Sequence, residues 1–593
     1  MPPSARIRDL AHEVNAGLAS AERVAGETLE RVADYDAIQP EAWISRVPAE
    51  AVRERARIVD GRIAAGERLA LAGVPFAVKD NIDVAGMDTT VACPDFAYRS
   101  RESAPVVDRL LEAGAILIGK TNLDQFATGL TGTRSPYGSP ACVFNREYIS
   151  GGSSAGSAVL VAAGVVPFAL GSDTAGSGRV PAAFNNLVGL KPTRGRWSSR
   201  GLVPACRSLD CISVLTRDAA DAALIDAIAA GFDRLDPYAR RAPALSACDA
   251  SFRVGIPSRA GIADLTGPDA QGFEAALERL RHAGGTAVEV DVRPLLEAAH
   301  LLYAGPWVAE RTAAVQSLLD THPSAIHPVV RAIVQAGKGI SAVEAFRGLY
   351  ALQDYLRIAE ALWERIDVLA LPTTPTIYRR SEVIAEPVTL NAHLGRYTNF
   401  VNLLDMSAIA LPAGFRANAT GVGVSLIAPA WGDTRLLELA ARYAADGLPD
   451  APDLDRSPRP VHVRLAVVGA HLSGMPLHFQ LSARAARLLG RARTAPLYRL
   501  YAMTNQVPPK PALVYSGPGG RSIELEVYEL ELAAFGSFVA EVPAPLAIGT
   551  VTLEDGTGVK GFVAEPRALE GALDITAHGG WRAYLTSHQE NQT

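Results

Sequence analysis

The stretch Gly151-Gly152-Ser153-Ser154-Ala155-Gly156-Ser157, followed closely by Gly171-Ser172-Asp173-Thr174-Ala175-Gly176-Ser177-Gly178-Arg179, decides how this chain is read. Runs of Gly and Ser are commonly linkers or turns. Here an apolar, helix-like stretch, Ala158 to Ala169, ties the two loops together and places both on a rigid scaffold. Asp173 and Arg179 flank the second loop, where they can pair and brace it. Consecutive small residues let backbone N–H groups converge on one point. An oxyanion hole needs that, with donors about 2.7–3.1 Å from the developing charge. A serine at the end of such a loop presents its hydroxyl there, but an alcohol is a poor nucleophile without a base.

No histidine lies near either loop; the nearest in sequence are His12 and His282, so no Ser–His–Asp arrangement is evident. The alternative base is Lys79. Leu71 to Val78 is a short apolar run that reads as a buried strand ending in Lys79-Asp80-Asn81. Desolvation at a buried strand end lowers a lysine pKa and lets the neutral amine accept a proton. A lone lysine is otherwise an ordinary surface charge.

Outward from this centre, residues 7 to 34 read as a helical pair and 47 to 65 as another helix. Val107 to Ala113 reads as a helix and Ala115 to Ile118 as a buried strand. Residues 129 to 156 form a long Gly/Ser/Thr/Pro-rich loop between apolar flanks, the kind that carries function. As far as about residue 440, strands (Val254 to Ile256, Val368 to Leu371, Val422 to Ile427) alternate with helices (Asp218 to Ala230, Pro268 to Ala283, Ala342 to Ile366, Arg435 to Ala445). The fold class is α/β with a mostly buried sheet. Residues 447 to 460, GLPDAPDLDRSPRP, read as a linker between a first domain, 1–446, and a smaller α+β domain, 461–593, that opens on a strand, Val463 to Val468.

The chain of 593 residues is 48% hydrophobic and 20% charged, ordinary globular composition with enough apolar material for more than one core. A net charge of −6 without a basic patch argues against nucleic-acid or membrane-surface binding. The five cysteines (Cys93, Cys142, Cys206, Cys211, Cys248) form no CxxC pair and read as reduced thiols of a cytoplasmic protein, with no zinc spacing. Met1 to Arg6 shows no signal-peptide pattern. Ala158 to Leu170, the longest apolar run, is broken by Gly164 and Pro167 and is too short to span a bilayer.

Four ordered motifs now stand together: Gly73-Val74-Pro75-Phe76-Ala77-Val78-Lys79-Asp80, the two serine loops, and Gly189-Leu190-Lys191-Pro192-Thr193. With Ser153 and Ser177 separated by 24 residues, the set resembles the amidase signature family over roughly residues 10 to 440. The resemblance implies a central mixed β-sheet covered by helices and a Ser–Ser–Lys mechanism without metal or cofactor. It implies that Ser177 is the nucleophile and that Ser153, following a cis peptide with Gly152, relays the proton to Lys79, the base. It further implies an oxyanion hole built from the N–H groups of Thr174, Ala175, Gly176 and Ser177, with Ser154 supporting the network. Many relatives carry Gly where this chain has Ala175, whose N–H still donates. Asp173 and Arg179 are expected to be structural.

Leu301-Leu302-Tyr303-Ala304-Gly305-Pro306-Trp307-Val308-Ala309-Glu310-Arg311 resembles the allophanate hydrolase subfamily, in which residues matching Tyr303 and Arg311 bind the substrate carboxylate. The chemistry agrees, since Arg offers a bidentate fork and Tyr one more donor. The backbone near Gly129 is expected to meet the urea end of the substrate. Ala466-Val467-Val468-Gly469-Ala470-His471-Leu472-Ser473-Gly474-Met475-Pro476-Leu477 resembles the C-terminal domain of the same subfamily, similar to the γ-glutamyl cyclotransferase fold. There a histidine matching His471 is the candidate for a decarboxylation step, against the alternative of an ordinary side chain in an assembly domain. The resemblance also implies a homodimer and an association with enzymes that supply allophanate. An amidase of other small amides, or the amidase component of a tRNA-dependent amidotransferase, would share the Ser–Ser–Lys core. A fatty acid amide hydrolase would want a membrane-binding apolar helix. A urea amidolyase would add a biotin carboxylase, of which this sequence has neither domain nor biotin-attachment motif. A scaffold protein would have lost Lys79, Ser153 or Ser177.

Overall fold

Alternating burial builds the larger core. In the strand Pro75–Lys79, Phe76 and Val78 pack on one side and Ala77 on the other; in Val368–Pro372, Val368 and Ala370 are separated from Leu369 and Leu371 in the same way. Strands buried on both faces need helices on both faces, which is the layered arrangement found. The computed structural model describes residues 6–243, 251–445, 447–457, 462–484, 486–503 and 507–590.

Eleven strands form the main sheet: β1 (Trp43–Arg46), β2 (Pro75–Lys79), β3 (Ile116–Thr121), β4 (Phe168–Asp173), β5 (Val188–Lys191), β6 (Cys211–Thr216), β7 (Phe252–Pro257), β8 (Gly285–Val290), β9 (Val368–Pro372), β10 (Met406–Phe415) and β11 (Gly421–Pro429). Their spatial order is β1-β3-β2-β4-β6-β5-β10-β11-β9-β7-β8. β2 runs parallel to β3 and β4, and β7 parallel to β8 and β9; the other pairings are antiparallel, so the sheet is mixed. Helices Pro105–Glu112, Ala219–Ala229, Gly267–His282 and Asp433–Tyr443 cover one face. Helices Ala21–Asp36, Ala49–Ala64 and Ala155–Ala162 cover the other beside β2 and β3. The parallel trio β3-β2-β4 delivers its carboxyl ends, Lys79, Thr121 and Asp173, to one edge, the usual position for a ligand site in such sheets.

The structure departs from the sequence reading in three places. Ala158 to Ala169 is not one helix. The helix Ala155–Ala162 stops at Gly164 (φ 73°), whose N–H caps Val161, and the chain re-enters the sheet as β4. The run from Leu71 becomes a strand only at Pro75, after a turn through Gly73 (φ 69°). Residues 447 to 457 of the expected linker lie on the first unit: Asp455 N–H donates to Val143 at 2.8 Å, Asp455 Oδ2 accepts from Arg146 N at 3.1 Å, and Leu454 packs on the core. The two compact units are Met1–Ser457 and Pro458–Thr593, and the rest of the linker, 458–460, lies outside the described residues. So does Cys248; the other four cysteines are buried free thiols.

The second unit holds β12 (His462–Val467), β13 (Arg487–Arg493), β14 (Tyr498–Met503), β15 (Lys510–Tyr515), β16 (Glu524–Glu531), β17 (Leu546–Thr552), β18 (Gly558–Ala564) and β19 (Leu573–Asp574). A five-stranded sheet runs β13-β16-β12-β18-β17 and a three-stranded one β15-β14-β19. Leu465, Val467, Tyr498, Leu525 and Trp581 lie in its core. No helix among the described residues is long and apolar enough to cross a membrane.

Phe76 and Phe168 stack across β2 and β4 with ring centroids 5.2 Å apart and planes 8° from parallel. Phe76→Ala is expected to destabilise the first unit by about 3–5 kcal/mol, because a cavity opens between the strands that carry Lys79 and Asp173. Denaturant unfolding of the two proteins measures this, and a loss under about 1 kcal/mol would contradict it.

Candidate active site

Lys79 closes β2 with its side chain fully buried. Its Nζ lies 2.6 Å from Ser153 Oγ and 2.8 Å from Ser172 Oγ, and Ser172 Oγ also accepts from Asn81 Nδ2 at 3.0 Å. Burial pushes the amine down to about 7, against the opposing pull of Asp124, Asp173 and Asp210. A neutral amine has two N–H groups and one lone pair. With an N–H on Ser172, the lone pair is free to take the Ser153 proton. No carboxylate forms an ion pair with Lys79 among the described residues. Lys120, one strand away and equally buried, does have such a partner, Asp80 at 2.9 Å.

The two serine loops are locked to each other. The Gly152–Ser153 peptide is cis. Ser153 carbonyl accepts from Asp124 N at 3.2 Å, and Ser154 N donates to Ser177 carbonyl at 3.2 Å. Ser154 Oγ accepts from Ser172 N at 3.3 Å and bonds Ser172 carbonyl at 3.2 Å. Ser177, buried with 2% exposure, therefore sits on a loop pinned directly to the Ser153 loop. Gly152 has no room for a side chain, since a Cβ would lie 2.1 Å from Asp124 Oδ2.

Asp173 organises the second loop. Its carboxylate accepts from the N–H groups of Gly176 (2.8 Å), Gly178 (3.1 Å) and Arg179 (3.3 Å), and from Arg179 Nε and Nη2, both at 2.9 Å. Burial alone would raise its pKa, but the Arg179 guanidinium holds it below the usual carboxylate range. The Gly176 N–H is thus already engaged. Of the four donors expected in the oxyanion hole, those of Thr174, Ala175 and Ser177 have no acceptor among the described residues. Thr398 Oγ1 donates to Ala175 carbonyl at 2.6 Å, Asn402 Nδ2 to Asp173 carbonyl at 2.8 Å, and Thr174 Oγ1 to Asp210. Burial pushes Asp210 up to about 6.

Arg311, on the helix Trp307–Thr321, and Tyr303, on the turn before it, come together. Arg311 Nη2 donates to Tyr303 Oη at 3.4 Å, and the guanidinium carbon lies 4.9 Å from the Tyr303 ring centroid. Arg311 Nη1 donates to Thr128 Oγ1 at 3.2 Å, which brings Gly129, the next residue, alongside. Arg311 is 2% exposed, its Nε has no acceptor, and it forms no ion pair among the described residues. Asp210 and Glu310 act on it only from a distance. A buried cation without a carboxylate partner is costly and is relieved by a bound anion.

His471, in the second unit, lines a cavity of about 180 Å³ together with Gln480, Lys510, Phe538, Glu541 and Phe562. Its Nε2 lies 2.7 Å from Gln480 Oε1, and the ring stacks on Phe562 at 5.1 Å. Burial keeps its pKa below that of an ordinary histidine. Sequence reasoning did not single out a role for Ser172 or Asn81, although both lie in motifs quoted for their neighbours. Asp210, Thr398 and Asn402 carried no local signal, because each reaches the site from another part of the chain, whereas Asp124 and Arg134 lie beside and within the 129–156 loop and were not singled out there.

With this geometry in hand, the likenesses are specific. Residues 27–437 match the Amidase family model and residues 463–586 the Allophanate hydrolase C-terminal domain. The chain is 44% identical over 589 residues to the urea amidolyase of Saccharomyces cerevisiae, covering 94% of this chain and 32% of that protein. It therefore spans about a third of the length of the curated urea amidolyases it matches. It is 38% identical over 431 residues to one component of the glutamyl-tRNA(Gln) amidotransferase of Deinococcus radiodurans, covering 66% of this chain and 88% of that one. The solved structure of Kluyveromyces lactis allophanate hydrolase superposes with a TM-score of 0.70 at 40% identity, covering 99% of both chains. The chain belongs to the amidase family, with the amidase signature fold in its first unit and an allophanate hydrolase C-terminal domain joined to it.

Proposed function

We propose that this chain hydrolyses allophanate (urea-1-carboxylate) through an acyl-enzyme on Ser177. The observation that carries the chemistry is the buried Lys79–Ser153 contact of 2.6 Å beside the Ser177 loop. The observation that carries the substrate is Arg311, a buried cation with Tyr303 on one amino group and no carboxylate partner among the described residues. The 99% mutual coverage with Kluyveromyces lactis allophanate hydrolase supports the same reading.

In this mechanism neutral Lys79 takes the Ser153 proton as Ser153 takes that of Ser177, and Ser177 Oγ attacks the terminal amide carbonyl. The N–H groups of Thr174, Ala175 and Ser177 receive the negative charge that develops on the carbonyl oxygen. Arg311 and Tyr303 hold the carboxylate, and the backbone at Gly129 meets the urea end. The proton returns from Lys79 through Ser153 to the leaving nitrogen, and ammonia departs. Water, activated by the same relay, releases N-carboxycarbamate. This loses carbon dioxide to give carbamate, which yields the second ammonia and second carbon dioxide. Uniform carboxylate binding sets affinity, and the oxyanion donors act chiefly in the transition state.

A second assignment concerns His471. The subfamily resemblance gives it the decarboxylation of N-carboxycarbamate, and its half-buried ring lines a cavity of about 180 Å³ with Lys510. The subfamily resemblance further carries a homodimer in the cytoplasm, working beside enzymes that supply allophanate.

Ammonia release from allophanate is the first test. Ser177→Ala should cost on the order of a thousandfold or more in kcat. Arg311→Ala should lose about 1.5–3 kcal/mol, seen chiefly in kcat/KM. Turnover of simple neutral amides but not of allophanate would remove the substrate assignment and leave the hydrolase chemistry standing. A Lys79 amine held at about 7 is charged, and useless as a base, below that pH. The rate should therefore rise as pH increases through 7 and level off above it; a flat profile between about pH 6 and 8 would exclude Lys79 as the base. His471→Gln should leave release of the first ammonia unchanged and slow that of the second. Equal rates for both would assign His471 no chemistry.

A further inference from the structure

Arg134 is a second buried guanidinium at the same site. It is 2% exposed, forms no ion pair among the described residues, and leaves Nε without an acceptor. Its Nη1 donates to Thr128 carbonyl at 2.9 Å and its Nη2 to Pro387 carbonyl at 2.6 Å. Arg311 Nη1 reaches the hydroxyl of the same Thr128 at 3.2 Å. One residue, immediately before Gly129, is therefore gripped by two cations, one on its backbone and one on its side chain.

The nearest opposing charge does not neutralise Arg134 by contact. The Asp124 carboxylate is committed to the N–H groups of Thr131 (3.2 Å), Gly132 (2.9 Å) and Arg134 itself (3.0 Å), and acts on the guanidinium at longer range. Arg311 acts on it with the same sign. Carbonyl acceptors satisfy two hydrogen bonds but leave the charge itself uncompensated. A loop clamp alone would not require a cation in so dry a place. Two like charges meeting on one residue are stabilised by an anionic ligand beside them and gain little from a neutral one of the same shape.

We propose that Arg134 is a second specificity-determining residue: jointly with Arg311 it grips Thr128, holds the Gly129 backbone in register, and supplies the second positive charge by which the site selects small amides carrying a carboxylate over neutral amides. The proposal rests on the reading that Arg311 faces the substrate carboxylate. Arg134 acts through Thr128 and through its field, so it is a positioning residue and takes no part in bond making.

The test uses binding, so that it does not depend on turnover. In the full chain carrying Ser177→Ala, calorimetry measures malonamate, which keeps the carboxylate and terminal amide with CH₂ in place of NH, against malonamide, its neutral counterpart. The parent should prefer malonamate by about tenfold or more. Arg134→Gln should bring the two affinities within a few-fold of each other by weakening malonamate far more than malonamide, which shares only the Gly129 contact. Arg134→Lys, which keeps the charge but cannot span two carbonyls, should fall between them and serves if the Gln variant does not fold. Equal loss for both ligands in either variant would reduce Arg134 to a loop clamp and overturn the proposal. No preference in the parent would instead remove the carboxylate site assigned to Arg311, and the proposal with it.

Discussion

Two lysines end up buried at the carboxyl edge of adjacent parallel strands, and the difference between them governs the site. Lys120 meets Asp80 at 2.9 Å and also bonds Thr89 Oγ1 at 2.7 Å, so its charge is neutralised on contact. Lys79 meets only the hydroxyls of Ser153 and Ser172. Desolvation disfavours a charged amine, and hydroxyls do not offset that cost as a carboxylate does. The amine is therefore held at about 7 and offers a lone pair at neutral pH. An acidic residue placed against Lys79 would restore its charge and remove the base.

The remaining architecture keeps carboxylates off that amine while using them nearby. Asp173 is occupied by Arg179 and by backbone N–H groups of its own loop, and Asp124 by backbone N–H groups of the 131–134 segment. Asp210 is held by Thr174 and by the N–H groups of Ala205 and Cys206. Each buried acid thus shapes a loop that approaches the reacting atoms and raises the Lys79 pKa only from a distance. The arrangement commits ionic interactions to loop geometry, where a backbone of small residues could not hold itself.

Around Arg311 and Arg134 the logic reverses. Arg311 and Arg134 are buried cations left without a contacting carboxylate among the described residues, and their hydrogen bonds go to Thr128, Tyr303 and Pro387. Hydroxyl and carbonyl oxygens orient a guanidinium but do not cancel its charge. A neutral base together with uncompensated cations suits the proposed substrate, a small amide that carries its own negative charge.

Much of this was legible in the amino-acid order alone. The Gly/Ser loops, the strand ending in Lys79 and the Tyr303–Arg311 pair are short-range patterns, because a catalytic loop needs small residues in sequence and residues eight apart flank a single break at Gly305 between two helical segments. The α/β alternation was likewise visible as periodicity. The extent of elements was less so: one apolar run held both a helix and β4, since burial on all sides erases the amphipathic signal that separates them. What only the tertiary structure decided is which buried charges meet. Asp80 follows Lys79 in the chain yet pairs with Lys120, because successive side chains on a strand end point to opposite sides. Thr398 reaches Ala175 across 223 positions and Arg134 reaches Pro387 across 253, proximities that no local pattern encodes and only the packed sheet provides.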